Sequence, residues 1–246
     1  MNKNYYYSMK VDVHNHIGID PEYEEDRTAD ELIKEMEKAH VDKCIVFPFT
    51  SNPDIWKQNE IVKEAMKKYP EKLIGFFTMS PGIPDMADLM YEYKNQGFKG
   101  VVTDPRFGEY FGAGSKCFHE LVECALVLDL PVWIHADNKD TMRVSNGPID
   151  SMLSKFGGVK FILSSMYYEA ENIAARHGNV FIDTASGMSP SAAGIQTLGT
   201  HRILMGSNTP YGLLKREIDK IIYLDELTDF QKSLIFWQNA KRLIRF

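Results

Sequence analysis

The segment Val11-Asp12-Val13-His14-Asn15-His16 is predicted to be a β-strand that ends in two histidines. Alternate residues of a strand point to the same face, so both imidazoles are expected on one face, with Val11 and Val13 in the core on the other. Two imidazoles aimed at one point can bind a common metal ion. The spacing alone is weak evidence for a metal, and the prediction depends on whether further ligands follow along the chain.

Strand and helix patterns alternate through the rest of the chain. Strand-like apolar runs are predicted at residues 11–16, 43–49, 73–79, 99–103, 132–135, 160–164, 180–184 and 203–205, each followed by a segment with helical spacing of apolar residues. Eight such units in 246 residues predict an α/β fold, a (β/α)8 TIM barrel that forms a single domain over residues 1–246. A doubly wound open sheet is the alternative, but the glycine-rich phosphate-binding motif after its first strand is missing. An extra C-terminal helix, over about residues 229–243, would cap the barrel or contribute to a homodimer interface.

The composition argues against several classes of partner. A net charge of -6 disfavours binding to nucleic acid or to an acidic membrane surface. No apolar run reaches the roughly 18 residues that span a bilayer. The three cysteines are scattered and indicate small buried residues of a cytoplasmic protein rather than disulfides or a metal pair.

Several predicted strands end in residues that can carry out chemistry. In a TIM barrel, functional side chains lie at the C-terminal ends of the strands. The later strands end at Asp104, His135, Ser165, Asp183 and Asn208. His14, His16 and His135 would then face one barrel mouth, and three imidazoles with an open position for water are typical of a catalytic zinc site. We therefore expect one divalent metal, zinc in the first instance, at these three histidines.

These residues resemble the amidohydrolase superfamily, in particular the amidohydrolase-related group that includes aminocarboxymuconate-semialdehyde decarboxylase and its hydrolase relatives. The resemblance covers nearly the whole chain and is carried by residues 11–16, 37–48, 97–101, 131–135, 178–184, 202–210 and 238–243. It implies a (β/α)8 barrel and a divalent metal, usually zinc. It also implies that the metal is held by His14, His16, His135 and an aspartate after strand eight, with a further histidine after strand six.

Two positions depart from the pattern of the family. Ser165 (or Ser164) stands where strand six would supply a histidine, and Asn208 stands where strand eight would supply the aspartate. An amide oxygen can contact a cation, but an amide has no basicity in the physiological range and cannot act as general base. The strand-four end also lacks the lysine that some two-metal relatives carbamylate, so at most one metal is expected.

Three outcomes remain open for the function. The first is a metal-dependent hydrolase that cleaves a C–N or C–O bond in a small carboxylate or a cyclic amide or lactone, with Asp104, Asp137 or Asp183 as the base. The second is a decarboxylase or cyclase, for which a polarising metal matters more than a base. The third is a barrel that has lost catalysis and binds a partner or acts as a scaffold.

The remaining candidates concern substrate binding and support of the site. Arg106 could pair a substrate carboxylate through its planar fork, or form a surface salt bridge. Trp133 and Tyr167 either line the substrate pocket or belong to the core. Asp183 either supports a ligand or acts directly. Asp12 is expected to form a hydrogen bond beneath the barrel mouth.

Overall fold

The computed structural model describes residues 9–103, 114–134, 146–164, 170–185 and 192–246. Within them, nine strands form one sheet in the order β2-β1-β3-β4-β5-β6-β7-β8-β9, in which β2 is antiparallel to β1 and the other neighbours are parallel. The strands are β1 Val11–Asp20, β2 Glu25–Arg27, β3 Lys43–Pro48, β4 Leu73–Thr78, β5 Gly100–Thr103, β6 Val132–Ile134, β7 Phe161–Leu163, β8 Val180–Asp183 and β9 Ile203–Leu204.

The parallel strands close into a barrel because the segment after β9 returns to β1. The backbone N–H of Val13 donates to the carbonyl of Met205 at 2.8 Å, and that of His16 donates to the carbonyl of Thr209 at 2.9 Å. Asn15 and Thr209 form a parallel bridge at the same seam. The predicted TIM-barrel fold is therefore confirmed, and β2 is an addition that the sequence patterns did not indicate.

Helices follow the strands in the predicted alternation. They are α1 Ala29–Ala39, α2 Ile55–Lys68, α3 Met86–Asn95, α4 Lys116–Val127, α5 Asn146–Lys155, α6 Ala170–Arg176, α7 Ala192–Leu198, α8 Leu214–Ile222, α9 Asp229–Ser233 and α10 Asn239–Ile244. The first begins with a capping box, in which the side chain of Thr28 accepts from the N–H of Glu31 while that of Glu31 accepts from the N–H of Thr28. In the described ranges, no helix combines the length and the apolar character needed to cross a membrane.

Two layers of apolar side chains hold the barrel together. Along β3, Cys44 and Val46 pack outward against the helices, while Ile45 and Phe47 point into the barrel. This alternation buries both faces of the sheet, which explains why the strands are apolar throughout their length.

The C-terminal helices cap the N-terminal end of the barrel. A π-helical segment, Leu234–Gln238, joins α9 to α10. Ala240 and Ile244 of α10 belong to the same buried cluster as the side chains inside the barrel, and Phe246 packs against that cluster. The predicted extra helix thus closes the barrel, whereas its part in a homodimer stays a prediction.

Candidate active site at the C-terminal end of the barrel

A β-bulge in β1 determines which side chains face the barrel mouth. Asp12 pairs with Cys44 and Asn15 pairs with Val46, so β1 contains one more residue than β3 between these two pairs. Val11 and Val13 lie in the inner cluster, and the ring of His14 contacts rings of the same cluster. The expectation that the valines and the histidines lie on opposite faces is wrong, because the bulge turns both pairs inward.

His14 is held by a carboxylate on the other side of the seam. Its Nδ1 lies 2.5 Å from Oδ2 of Asp183, at the end of β8, and both side chains are fully buried. Because a carboxylate oxygen accepts, Nδ1 carries the proton and donates, which leaves the lone pair of the imidazole on Nε2. The other oxygen of Asp183 accepts from the backbone N–H of Ala185 at 3.3 Å. Asp183 therefore orients His14 in the way that carboxylates orient metal-binding histidines.

His16 lies between a backbone carbonyl and an amide oxygen. Its Nδ1 is 3.4 Å from the carbonyl oxygen of Pro48, and its Nε2 is 3.2 Å from Oδ1 of Asn208. The ring centroids of His14 and His16 are 5.2 Å apart. The structure therefore brings together four of the predicted site residues, His14, His16, Asp183 and Asn208.

Asp12 connects β1 to the segment that carries Asn208. Its carboxylate accepts from the hydroxyl of Ser207 at 2.5 Å, from the N–H of Ser207 at 2.9 Å and from the N–H of His14 at 3.1 Å. Burial raises the pKa of Asp12 to about 7, and the hydrogen bonds from Ser207 and His14 oppose that rise. The hydrogen bond expected of Asp12 is present, and it holds Ser207 and Asn208 beside the histidines.

Asn15 makes a second connection across the seam. Its side-chain NH2 donates to the carbonyls of Asp12 and Ile45, both at 3.1 Å, and its side-chain oxygen accepts from the hydroxyl of Thr209 at 2.8 Å. Sequence reasoning missed the roles of Asn15, Ser207 and Thr209. A polar residue between two histidines in an apolar strand is the signal that could have indicated a buried cross-link.

The backbone that presents Asn208 is tightly constrained. A Cβ atom at Gly206 would lie 3.0 Å from the Cβ atoms of both His14 and Asp183, so the strand approaches its neighbours closely here and a larger residue would push them apart. Asn208 itself has φ 57°, in the left-handed region that asparagine tolerates better than most residues. Its carbonyl accepts from the N–H of Gly212 at 2.8 Å, which closes the turn.

Aromatic rings surround His16 and continue to the surface. Phe49 stacks on His16 with centroids 5.1 Å apart, and Phe47 meets it edge-on at 4.7 Å. The ring centroid of Tyr211 lies 5.9 Å from that of Phe49, and its hydroxyl donates a hydrogen bond to the carboxylate of Asp20. The side chain of Tyr211 remains 46% exposed. The mouth beside His16 is therefore flanked by an aromatic wall, which the sequence patterns did not indicate.

Trp133 lies below the histidines. It is fully buried in the inner cluster, with its ring centroid 4.9 Å from that of His14 in an edge-on arrangement. It therefore forms the floor under His14. Asp104, Arg106, Asp137, His135, Ser165 and Tyr167 lie outside the described residues.

The donor set fits a divalent cation through imidazole nitrogens and an amide oxygen. Across the described ranges, no group of three or more His, Cys, Asp or Glu side chains is placed to hold a metal ion. His14 has its lone pair on Nε2, and His16 Nε2 faces the oxygen of Asn208. Imidazoles of this kind suit zinc and other transition metals, and amide oxygens suit harder cations.

Comparison with known proteins identifies relatives by fold and by family. A search of curated protein sequences gave no match. Among solved structures, the chain is similar to 2,6-dihydroxybenzoate decarboxylase from Rhizobium, with 15% identity and a TM-score of 0.79 over 96% of this chain and 98% of that chain. It is similar to 5-carboxyvanillate decarboxylase from Novosphingobium aromaticivorans, complexed with manganese and 4-hydroxy-3-methoxy-5-nitrobenzoic acid, with 13% identity and a TM-score of 0.77 over 100% of both chains. It is also similar to 4-oxalomesaconate hydratase from Rhodopseudomonas palustris, with 17% identity and a TM-score of 0.72 over 96% of both chains.

The sequence match extends beyond the likeness of folds. The amidohydrolase family pattern matches residues 11–246, from the first residue of β1 through the C-terminal cap. This range includes the two histidines, the seam and the barrel. The resemblance noted from the sequence is thus confirmed, and the chain belongs to the amidohydrolase family of enzymes.

Proposed function

We propose that the chain is a metal-dependent enzyme that removes CO2 from a small aromatic carboxylate at the C-terminal end of the barrel. The observation that carries the proposal is the environment of the two histidines. An amide, Asn208, stands beside His16, and the carboxylate beside His14 is already hydrogen bonded to it. The site therefore offers metal ligands without an available base from β1, β8 or the segment after β9.

The short distance between Asn208 and His16 supports a cation site beside these two side chains. A carbonyl next to Nδ1 and an amide oxygen next to Nε2 are both acceptors, 3.4 Å and 3.2 Å away. A bound cation would be able to accept lone pairs from both the imidazole of His16 and the amide oxygen of Asn208. Without a cation, the amide can turn its NH2 group toward Nε2 instead.

His14, His16 and, as the third imidazole, His135 would hold the metal, with the oxygen of Asn208 beside them. When bound, a divalent cation supplies a positive charge that orients a substrate carboxylate and stabilises negative charge that develops on the substrate. Zinc remains the expectation from three imidazoles. The manganese in the decarboxylase from Novosphingobium aromaticivorans makes manganese the second metal to test.

The lack of an available base among the described residues at the barrel mouth favours decarboxylation over hydrolysis. Hydrolysis of an amide or lactone needs a group that takes a proton from the attacking water, and the amide of Asn208 cannot do so. Asp183 and Asp12 are occupied by His14 and Ser207. In decarboxylation the C–C bond to the carboxylate breaks, CO2 leaves, and the ring carbon that carried it takes up one proton from solvent, so no base has to activate a water molecule for attack.

The aromatic wall indicates the kind of substrate. Phe49 and Tyr211 flank His16 at one side of the mouth, and the anchoring of Tyr211 to Asp20 keeps its ring in place. Aromatic rings pack favourably in offset or edge-on contacts with other rings. A planar aromatic acid can lie against this wall with its carboxylate toward the histidines.

The test combines metal analysis with activity. Protein reconstituted with zinc or manganese is expected to hold about one metal per chain, and H14A/H16A to hold less than about a tenth of that amount. The control is H119A, which changes a histidine on α4. A panel of hydroxybenzoates should release CO2, while lactones and cyclic amides should remain intact.

Three results would redirect the proposal. Hydrolysis of lactones without CO2 release would show that another group supplies the base and would favour the hydrolase. Metal binding without turnover of either panel would argue against both reactions. Absence of metal after reconstitution, with no rise in melting temperature, would favour a barrel that has lost catalysis.

A further inference from the structure

A second cleft lies at the opposite end of the barrel from the histidines. It has a volume of about 710 Å3. Residues that immediately precede strands line it, among them Lys99 before β5, Lys160 before β7 and Arg202 before β9. The end of α10 forms another wall through Arg242 and Arg245. The cleft therefore lies between the N-terminal ends of the strands and the C-terminal cap.

The cleft is strongly basic in a protein of net charge -6. Its lining includes six lysine or arginine side chains and a histidine: Lys94, Lys99, Lys160, Arg202, Arg242, Arg245 and His201. Among the described residues that line it, Asp129 is the only acidic one. A concave surface lined by one sign of charge concentrates counter-ions of the other sign.

Several of these cations are held in place by backbone carbonyls. Arg202 donates through one terminal nitrogen to the carbonyls of Ala174 and His177. Arg242 donates to the carbonyl of His201 at 2.7 Å, and Lys94 donates to that of Leu128 at 2.5 Å. Backbone carbonyls fix the positions of these groups without neutralising their charge.

Two lysines of the cleft have no acidic partner among the residues that the structure describes. Lys99 and Lys160 are exposed, and neither forms an ion pair with a carboxylate in the described ranges. Their strands, β5 and β7, are separated only by β6, so their backbones lie roughly 10 Å apart at the usual strand spacing. Arg245 is paired with Asp129 at 3.1 Å, but both side chains are mostly exposed, so the pair is weak.

The chemistry of His201 is consistent with a positive field in the cleft. Burial lowers the pKa of its imidazole, and the charges of Arg202 and Arg242 lower it further. A bound anion would offset both of these charges.

We propose that this cleft binds a small phosphorylated ligand that carries at least two negative charges. A phosphoryl group places its charge on oxygens around one centre, where an ammonium group and a guanidinium fork can approach from different sides. The site lies at the end of the barrel away from His14 and His16, so it does not depend on the proposed reaction.

The test is titration calorimetry of the purified protein with inorganic pyrophosphate and, separately, with ADP. The double variant K99Q/K160Q should weaken binding of both probes about five- to tenfold, because two exposed charge contacts are lost. The control K34Q/K57Q makes the same change of charge at two exposed lysines of α1 and α2 and should bind as the parent does. Binding should also weaken steeply between low and high salt.

Further variants and probes distinguish the cleft from the barrel mouth and phosphate from carboxylate. H14A/H16A should keep its affinity for both probes, and loss of binding in that variant would place the probe at the barrel mouth and overturn the proposal. Citrate, which carries similar charge on carboxylates, should bind more weakly than pyrophosphate, and equal binding would overturn the assignment to phosphate. Equal affinity in K99Q/K160Q and in the parent would overturn the assignment of the binding site to the cleft.

Discussion

Replacing Asp183 with asparagine is expected to weaken both metal binding and the stability of the fold. The substitution keeps the shape of the side chain but removes the charge that accepts from His14 Nδ1 at 2.5 Å. A charge-assisted hydrogen bond is about twice as strong as a neutral one, so the loss here is about 1 kcal/mol. The new NH2 group would also face the N–H of Ala185, which costs about another 1 kcal/mol.

The metal affinity should fall by a similar free energy. Loss of a carboxylate that orients a metal-binding histidine typically reduces affinity about 10- to 100-fold. Competition with a chromogenic chelator, using zinc and manganese in turn, measures this change. Urea denaturation of the metal-free variant measures the expected loss of about 2 kcal/mol in the free energy of unfolding.

A matched control exists on the outside of the barrel. Asp150 also contacts a histidine, with His177 Nε2 at 2.6 Å, and it accepts from Arg176 as well. D150N should lower stability by a comparable amount and leave the metal affinity unchanged. If D183N binds metal within about twofold of the parent, Asp183 does not orient a ligand and the assignment of His14 fails.

Three further changes test other parts of the structure. N208D should raise metal affinity about tenfold or more, since a carboxylate binds a cation more strongly than an amide oxygen does, and unchanged affinity would exclude Asn208 from the metal site. G206A should lower the free energy of unfolding by about 1–3 kcal/mol, because the new methyl group meets His14 and Asp183 at 3.0 Å, and a thermal melt equal to that of the parent would contradict the close approach. The pKa of Asp150 is raised by burial but lowered more by hydrogen bonds from Arg176 and His177, with a net shift downward, so its stabilising effect is present above about pH 4 and is lost as the pH falls through the lowered pKa. The loss in D150N should therefore be larger at pH 6 than at pH 3, and an equal loss at both pH values would refute this linkage.

The strand and helix pattern was sufficient to predict the barrel. Apolar runs alternate with helical segments, and features such as the Thr28 capping box are encoded within four residues of sequence. The β2 arm was missed because Glu25, Asp26 and Arg27 are polar and pair with only three residues of β1. Short polar strands carry no periodic signal.

Four residues of the candidate site, His14, His16, Asp183 and Asn208, could be named from the sequence, but their contacts could not. His14 and His16 are recognisable from their spacing, yet the bulge that turns them inward depends on how β1 pairs with β3. The partner of His14 lies 169 residues away, and no local pattern specifies that Asp183 supports the ring rather than acting on substrate. The roles of Asn15 and Ser207 were missed for the same reason, since both residues act through contacts across the seam.

The seam of the barrel also determines when the proposed metal site can first be complete in a nascent chain. The ribosome adds His16 long before Asn208, which lies 192 residues further along the chain. Ser207, the partner of Asp12, is likewise added late. Until those residues emerge, the two imidazoles are carried on a strand with no neighbour on one edge. A translating ribosome therefore displays an incomplete ligand set, and a metal taken up at that stage would be held by only part of its ligands. A complete set of the proposed ligands would therefore exist only after barrel closure.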